Sequence, residues 1–189
     1  MIKDAYREIT RLIPEDSFLV EQRVKDDFNF PIHFHPEYEL NFIYRGKGVR
    51  RIVGDHSDEI DDLELVLVGP NVVHGWELHN CECKEIYEIT IHIHNDLLDK
   101  KMLSRRLFKP ISDMFNRAKF GILFSRETTN LMMPRLMLLS RITGLQYYLE
   151  FISILNDLAI SEDQKSLSIS SHEKEDFHNS DKIKKVYDY

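Results

Sequence analysis

Polar and apolar side chains alternate over residues 33–44. The odd positions are polar: His33, His35, Glu37, Glu39 and Asn41. The even positions are mostly apolar or aromatic: Phe34, Tyr38, Leu40, Phe42 and Tyr44. A period of two predicts one extended strand with a polar face and an apolar face. Both faces can be buried only if the polar one lines a pocket, because buried polar groups need partners.

Other stretches predict further short strands and thus a β-sandwich or barrel. The predicted strands cover residues 17–23, 49–53, 63–68, 72–78 and 84–94. Before them, residues 1–16 carry apolar side chains at helical spacing and predict a short helix or arm that stops at Pro14.

After Asp96 the apolar period changes to that of helices. Two long amphipathic helices are predicted over Thr128–Ser140 and Leu145–Ala159. This pair either packs on the outside of the barrel or forms a dimer interface. The candidate interface residues are Leu145, Tyr148, Leu149, Ile152 and Leu155. Residues 161–182 are polar, serine-rich and acidic, which predicts a linker; a capped helix is predicted to start after Asn179–Asp181.

Composition excludes several classes of protein. The net charge is −7, from 32 acidic and 25 basic residues, whereas a protein that binds duplex DNA clusters Lys and Arg against phosphates. No run of 18 apolar residues or signal peptide is seen, so we expect a cytoplasmic protein without a membrane partner. Cys81 and Cys83 are too few for a disulfide framework and predict reduced thiols.

The polar face of residues 33–44 carries the candidate chemistry. Two imidazoles and a carboxylate that converge on one spot are ligands for divalent Zn, Ni, Mn or Fe. The same groups can instead hydrogen-bond an organic effector, such as a sugar or small acid, with Asn41 beside them and the Trp76 ring to stack on it. A third interpretation is a set of satisfied polar groups without a ligand. His92 and His94 are predicted to lie exposed near a strand end.

The spacing His33-x-His35-x3-Glu39-x6-Gly46 resembles the first motif of the cupin superfamily. The segment Gly69-Pro70-Asn71-x-x-His74 resembles its second motif, although Pro70 lies one residue too close to His74. Three further positions depart from the family pattern, namely Asp27, Asn71 and Leu78. The resemblance implies a double-stranded β-helix (jelly-roll) barrel with His33, His35, Glu39 and His74 at the metal-ligand positions.

The wider pattern, over residues 15–160, is similar to the sensor half of AraC-type transcription regulators. This resemblance implies a mainly β protein with C-terminal helices that binds a small-molecule effector and forms a homodimer. The implied organisation is an arm (1–16), a cupin barrel (17–96), a dimerisation segment (97–160), and a linker with the start of a truncated DNA-binding domain (161–189). DNA would bind only through that missing domain. The effector's identity, the target DNA, and whether the regulator activates or represses are not predictable.

A metal-dependent cupin enzyme of the dioxygenase or isomerase type is the alternative. Such an enzyme needs an inward-facing group that grips the substrate, often an Arg. Arg45, Arg50 and Arg51 are predicted to lie at a hairpin turn, so none is expected beside the ligands. Nucleophilic triads and phosphate-binding loops are also absent from the sequence. We therefore predict a sensor and not an enzyme.

Overall fold

A computed structural model gives the structure of the chain, and residues 5–169 are described below. These residues form two β-sheets followed mainly by helices, so the prediction of a mainly β fold with C-terminal helices is confirmed. The jelly-roll topology of a cupin stays a prediction. Within residues 5–169, no helix is long and apolar enough to cross a membrane.

Eleven strands build the two sheets within the described residues. They are β1 (Tyr6–Arg7), β2 (Phe18–Lys25), β3 (His33–Phe34), β4 (Tyr38–Tyr44), β5 (Arg50–Val53), β6 (His56–Glu59), β7 (Leu63–Val68), β8 (His74–Glu77), β9 (Ile86–Ile93), β10 (Ile122–Leu123) and β11 (Lys165–Ser166). One sheet has the order β1-β3-β8-β5-β6 and the other β11-β10-β7-β4-β9-β2. All pairs are antiparallel except β1 with β3.

The alternating segment does not form one strand, as the sequence predicts, but two strands in different sheets. β3 belongs to the five-stranded sheet and β4 to the six-stranded sheet. The chain crosses between them at His35, Pro36 and Glu37. Pro36 cannot donate a backbone hydrogen bond to a sheet, which favours the break at this point. As a result, the polar side chains of both strands face the space between the sheets.

The outer face of the six-stranded sheet is apolar and is covered by helices. Leu40, Phe42 and Leu65 of this face belong to one buried cluster with helical residues such as Met114 and Phe151. The ring of Tyr38 stacks on Phe115 with centroids 4.5 Å apart. The helical pair therefore packs on the sheet, which is the first of the two roles that the sequence left open.

Four α-helices lie within the described residues. They are α1 (Lys100–Leu103), α2 (Lys109–Arg117), α3 (Arg126–Leu139) and α4 (Gly144–Ile160), with 3₁₀ turns at Arg106–Phe108 and Ala118–Phe120. The side chain of Asp99 caps α1, and the side chain of Ser125 caps α3. Asn95 and Asp96, where the apolar period changes, form a turn before α1. The predicted long helices agree with α3 and α4 to within two residues at each end.

The candidate dimer residues of α4 divide into three sets by burial. Leu155 is fully buried in the core of this chain and exposes no surface. Tyr148 and Ile152 are half-buried against the same core. Leu145 and Leu149 remain exposed, at 72% and 57% of their surface. The physical reason is that α4 turns one side of its apolar stripe toward the sheet.

Both ends of the described chain join the sheets. No helix forms in residues 5–16; instead Tyr6 and Glu8 donate backbone hydrogen bonds to Ile32 and Phe34, at 3.0 and 2.9 Å. At the other end, Lys165–Ser166 pairs with β10. The predicted linker therefore does not begin at residue 161, because residues 165–168 pack on the fold. The rest of the predicted linker and the helix after Asn179 lie outside the described residues.

Candidate functional site

Strand pairing brings the four predicted ligand residues together between the sheets. His33 of β3 is the direct partner of His74 of β8. His35 lies at the crossing between β3 and β4, and Glu39 lies on β4. One donor atom from each of the four lies within 4.8 Å of the others. Ligand atoms on opposite sides of one ion, at about 2.1 Å each, are separated by about 4.2 Å. Closure around an ion therefore needs only small side-chain movements.

All four groups are buried: His33 is 6% exposed, His35 1%, Glu39 2% and His74 0%. Asn41 and Trp76, the other predicted effector contacts, are also buried, at 3% and 6%. Asn41 donates hydrogen bonds to Glu39 Oε1 and Thr90 Oγ1 at 3.4 and 3.3 Å. The indole of Trp76 lies 6.0 Å from the His74 ring, measured between centroids. All six predicted residues thus belong to one polar region of the interior.

Backbone carbonyls orient two of the imidazoles. Nδ1 of His33 lies 2.9 Å from the carbonyl oxygen of Pro31, and Nδ1 of His74 lies 2.8 Å from that of Val72. A carbonyl only accepts, so each Nδ1 must carry the proton and donate it. In the neutral ring, Nε2 then carries a lone pair that points toward the cluster. Metal-binding histidines adopt this arrangement.

The carboxylate of Glu39 is held ionised at the centre of the cluster. Burial opposes its ionisation, but His74, His35 and His92 outweigh burial and hold the pKa of Glu39 well below its ordinary value. Burial also disfavours the charged form of His35, yet hydrogen bonds to Glu37 and Glu39 raise the pKa of His35 to about 10. Burial lowers the pKa of His33 well below its ordinary value, so its ring is neutral.

Two residues of this cluster were not predicted. His92 was expected to be exposed, but it is 3% exposed and lies opposite Glu39 in the pairing of β4 with β9. Its Nε2 lies 3.4 Å from Glu39 Oε2. Glu8 of the arm places Oε2 at 3.2 Å from His33 Nε2 and 4.0 Å from His35 Nε2. The alternation of Glu88, Thr90 and His92 could have indicated the first; no local pattern indicates the second.

One space adjoins the cluster, and a second space adjoins the first. An inner cavity of about 70 Å³ is lined by cluster residues such as Glu8, His33 and His92, and by Trp76. An outer cleft of about 760 Å³ is lined by arm residues and by the 23–31 segment. Arg23, Lys25 and Phe30 line both spaces. The inner cavity holds an ion or one or two waters, at about 30 Å³ per water.

A second buried charged group lies on the inner faces of the sheets. Arg51 is 2% exposed and bonds to Glu64 of β7, which is 6% exposed. Trp76 also donates to Glu64, at 3.5 Å. The prediction that no Arg faces inward is therefore wrong, because Arg51 lies in β5 beside Trp76 and not in the turn. Burial raises the pKa of Glu64 to about 7 despite the nearby guanidinium.

Comparisons with known proteins do not establish a family. No protein-family model matches the chain, and no curated protein sequence matches it. Among solved structures, it is similar to ToxT from Vibrio cholerae. An apo form of ToxT gives a TM-score of 0.46 at 20% identity and covers 76% of this chain. Unsaturated fatty acid bound wild-type ToxT gives 0.39 at 17% identity, again covering 76%.

The chain spans 54% and 51% of the length of those two ToxT chains. A third ToxT structure gives a TM-score of 0.40 at 15% identity, with 78% of this chain and 61% of that chain covered. Similarity at this level establishes neither a shared function nor a shared ligand. The function of the chain is therefore inferred from the site itself.

Proposed function

We propose that the chain is the effector-sensing and dimerisation domain of an AraC-type transcription regulator. We propose further that the two sheets form a cupin-type barrel and that the effector binds in the polar region between them. Its support is the cluster of His33, His35, Glu39 and His74 together with the motif resemblance that those residues carry.

One observation supports the proposal more than any other: ionisable groups are concentrated in the interior, where their removal from water is costly. Removing charges and imidazoles from water costs several kcal/mol per ion unless they are fully paired. Apolar residues in the same space would leave the stability of the folded state unchanged or increase it. The cost is therefore best explained by a ligand that these groups bind.

The two spaces constrain the effector. Ligand pockets for organic molecules usually measure about 300–1,000 Å³, which the outer cleft satisfies at about 760 Å³. The inner cavity of about 70 Å³ accepts an ion or a single polar group. A sugar could thus occupy the cleft but not the cluster. The proposed effector places its charged part in the inner cavity and any organic part in the cleft.

Substitution of the cluster tests this function. We expect His35→Ala and His74→Ala to weaken effector or metal binding at least tenfold, measured by calorimetry or by the ligand-induced rise in Tm. His79→Ala is the matched control, because His79 is outside the cluster and pairs with Glu59 at 2.8 Å. If neither cluster variant changes the binding of any ligand that stabilises the chain, the site is wrongly placed.

Dimerisation is the second part of the proposal. Leu145 and Leu149 leave an apolar strip of α4 in water, flanked by the half-buried Tyr148 and Ile152. We expect a homodimer by light scattering, and Leu145→Glu with Leu149→Glu to shift it to a monomer. Leu131→Glu, on an exposed position of α3, is the control. The acidic chain itself should not bind DNA, which would contact another domain of the regulator.

The metal-dependent cupin enzyme remains the second candidate. The observation in its favour is that four donors lie within 4.8 Å of one another. Arg51 faces inward, but it is bonded to Glu64, which reduces its value for gripping an acidic substrate. Measurable turnover of a small acid or sugar by the metal-loaded chain would favour the enzyme. Binding of a ligand without turnover would favour the sensor.

A further inference from the structure

We infer that the effector site takes one divalent first-row transition-metal ion, with His92 and the arm residue Glu8 as ligands besides the four motif residues. The inference rests on the proposed function, because it names the effector class of the same site. It differs from the motif resemblance in adding an imidazole from β9 and a carboxylate from the arm. Because Glu8 lies on the arm, its coordination of the ion couples metal binding to docking of the arm.

The first step is the arrangement of lone pairs. When the rings are neutral, Nε2 of His33 and His74 are acceptors, since both Nδ1 atoms donate to carbonyls. Each faces a carboxylate oxygen, Glu8 Oε2 at 3.2 Å and Glu39 Oε2 at 3.3 Å. Two acceptors at this distance repel unless a proton or a cation lies between them. A cation bound by all of these atoms removes both repulsions at once.

The second step concerns His92. Neither of its ring nitrogens has a hydrogen-bond partner of normal geometry, although the side chain is 4% exposed. A native protein leaves few buried polar atoms unpaired, and each one needs an explanation such as a bound ion. His92 Nε2 is directed toward Glu39 Oε2, at 3.4 Å. If His92 is a metal ligand, the burial of an imidazole without a hydrogen-bond partner is explained.

The third step is the contribution of the arm. Glu8, His35 and His92 form a second group of donors within 4.8 Å of one another. His35 belongs to this group and to the motif group, so the two groups adjoin and share one imidazole; their union around a single ion is the step that this inference adds. Pairing of β1 with β3 fixes the position of Glu8, because the Glu8 backbone N–H donates to Phe34 at 2.9 Å.

The fourth step is balance of charge and volume. Ligating imidazoles are neutral and ligating carboxylates are ionised, so four histidines with Glu8 and Glu39 carry a charge of −2. A divalent ion cancels this charge. Mixed nitrogen and oxygen ligands suit Zn, Ni, Mn and Fe rather than Ca or Mg. The inner cavity of about 70 Å³ leaves room for an ion, and six protein ligands fill an octahedral shell without water.

The experiment measures binding of Zn²⁺, Ni²⁺ and Mn²⁺ to the metal-free 189-residue chain by calorimetry and elemental analysis. We expect one ion per chain. Glu8→Gln and His92→Gln should each weaken the affinity by roughly 10- to 100-fold. The visible spectrum of bound Co²⁺ should intensify in both variants, because lower coordination numbers absorb more strongly. Circular dichroism of the metal-free variants checks that they fold.

Matched controls separate ligation from general effects of charge. Glu15→Gln removes an exposed acid further along the arm, and His94→Gln removes the next imidazole on the same side of the β9 segment. Both should keep the affinity and Co²⁺ spectrum of the unmodified chain. Trypsin gives an independent readout, because it cleaves after Arg11, whose side chain is 60% exposed. Zn²⁺ should slow this cleavage in the unmodified chain but not in Glu8→Gln.

The outcomes distinguish this inference from the proposed function. If the ion binds and neither Glu8→Gln nor His92→Gln changes the affinity or the spectrum, the added ligands are refuted while a four-residue sensor site stands. If the chain binds none of the three ions, the inference is refuted, and an organic effector that needs His35 and His74 would still support the sensor. Loss of affinity in both variants with unchanged controls supports the inference.

Discussion

Both faces of the six-stranded sheet are buried, but the inner face combines apolar residues, such as Ile43 and Val66, with charged groups, whereas the outer face is apolar. On the outer face, Leu40 and Phe42 pack under helices in an apolar cluster. On the inner face, the intervening residues Glu39 and Asn41 meet histidines and acids from other strands. The same strand, β4, supplies both sets. Burial alone therefore does not distinguish a folding residue from a binding residue; the chemistry of its neighbours does.

The difference implies a division of tasks. Apolar burial stabilises by about 25 cal/mol per Å², whereas buried ionisable groups reduce stability unless they are paired. The outer face should then dominate the free energy of unfolding, and the inner face should dominate ligand affinity. The inner face also contains the Arg51–Glu64 pair. Substitution of this pair tests whether every buried charge on the inner face is functional.

The largest loss of stability is expected on the outer face. Phe42 is 1% exposed, and Phe42→Ala should lower the free energy of unfolding by about 3–5 kcal/mol, because it removes buried area and leaves a cavity. Urea denaturation measures this loss. Leu145→Ala, at a 72% exposed position, should change stability by less than about 0.5 kcal/mol. A loss below about 1 kcal/mol for Phe42→Ala would contradict the division.

The next effect concerns the buried pair of the inner face. Arg51→Met should cost about 3 kcal/mol at pH 8, because it leaves the Glu64 carboxylate buried without its partner. Arg50→Met is the control: its neighbouring pair with Glu77 is more than one-third exposed on both sides and should cost under about 1 kcal/mol. Adding Glu64→Leu to Arg51→Met should restore stability. If the double variant is no more stable than Arg51→Met, the pair does more than neutralise its own two buried charges.

A smaller effect is the pH dependence that Glu64 adds. Its pKa in the folded chain is about 7, above the ordinary value of 4.5, so between these values the folded state binds the proton and the unfolded state does not. Stability from this group must then fall as pH rises from about 5 to 7, by on the order of 2 kcal/mol. Glu64→Gln should remove this part of the decline, measured by urea denaturation at pH 5 and pH 8. If the free energy of unfolding declines equally in Glu64→Gln, a group other than Glu64 causes the pH dependence.

The smallest effect has the opposite sign. In the metal-free chain, His92→Leu should leave stability unchanged or raise it by up to about 1 kcal/mol, because two unpaired ring nitrogens are replaced by an apolar group. The same change should lower metal affinity. His94→Leu, at a partly exposed position, is the control. A loss above about 2 kcal/mol for His92→Leu would show that the inner face contributes to folding in the same way as the outer face.

Local patterns in the sequence predicted much of this architecture. The period of two placed His33, His35 and Glu39 on one face, and apolar spacing located α3 and α4. The break at Pro36 was missed, yet the polar residues on both sides of it still reach one interior. The resemblance, and not the periodicity, supplied His74, whose pairing with His33 depends on contacts between distant segments.

The missed residues share one cause, which is that long-range pairing sets their positions. His92 meets Glu39 through the register of β9 against β4, across more than fifty residues of chain. Glu8 reaches the cluster through a parallel pairing of only two residues. Arg51 was assigned to a turn, although the turn residues with positive φ are Arg45 and Gly48. Single-sequence patterns contain no information on which strands become neighbours.

The short arm strand has a thermodynamic consequence. Its backbone is fastened by the hydrogen bonds of Tyr6 and Glu8 to Ile32 and Phe34, and each such bond contributes about 1 kcal/mol net. These two bonds alone would leave on the order of a few per cent of molecules with the arm detached at room temperature. Each additional 1.4 kcal/mol gained by the docked form changes that ratio tenfold, so a single contact at Glu8 is enough to convert a fluctuating segment into a closed one.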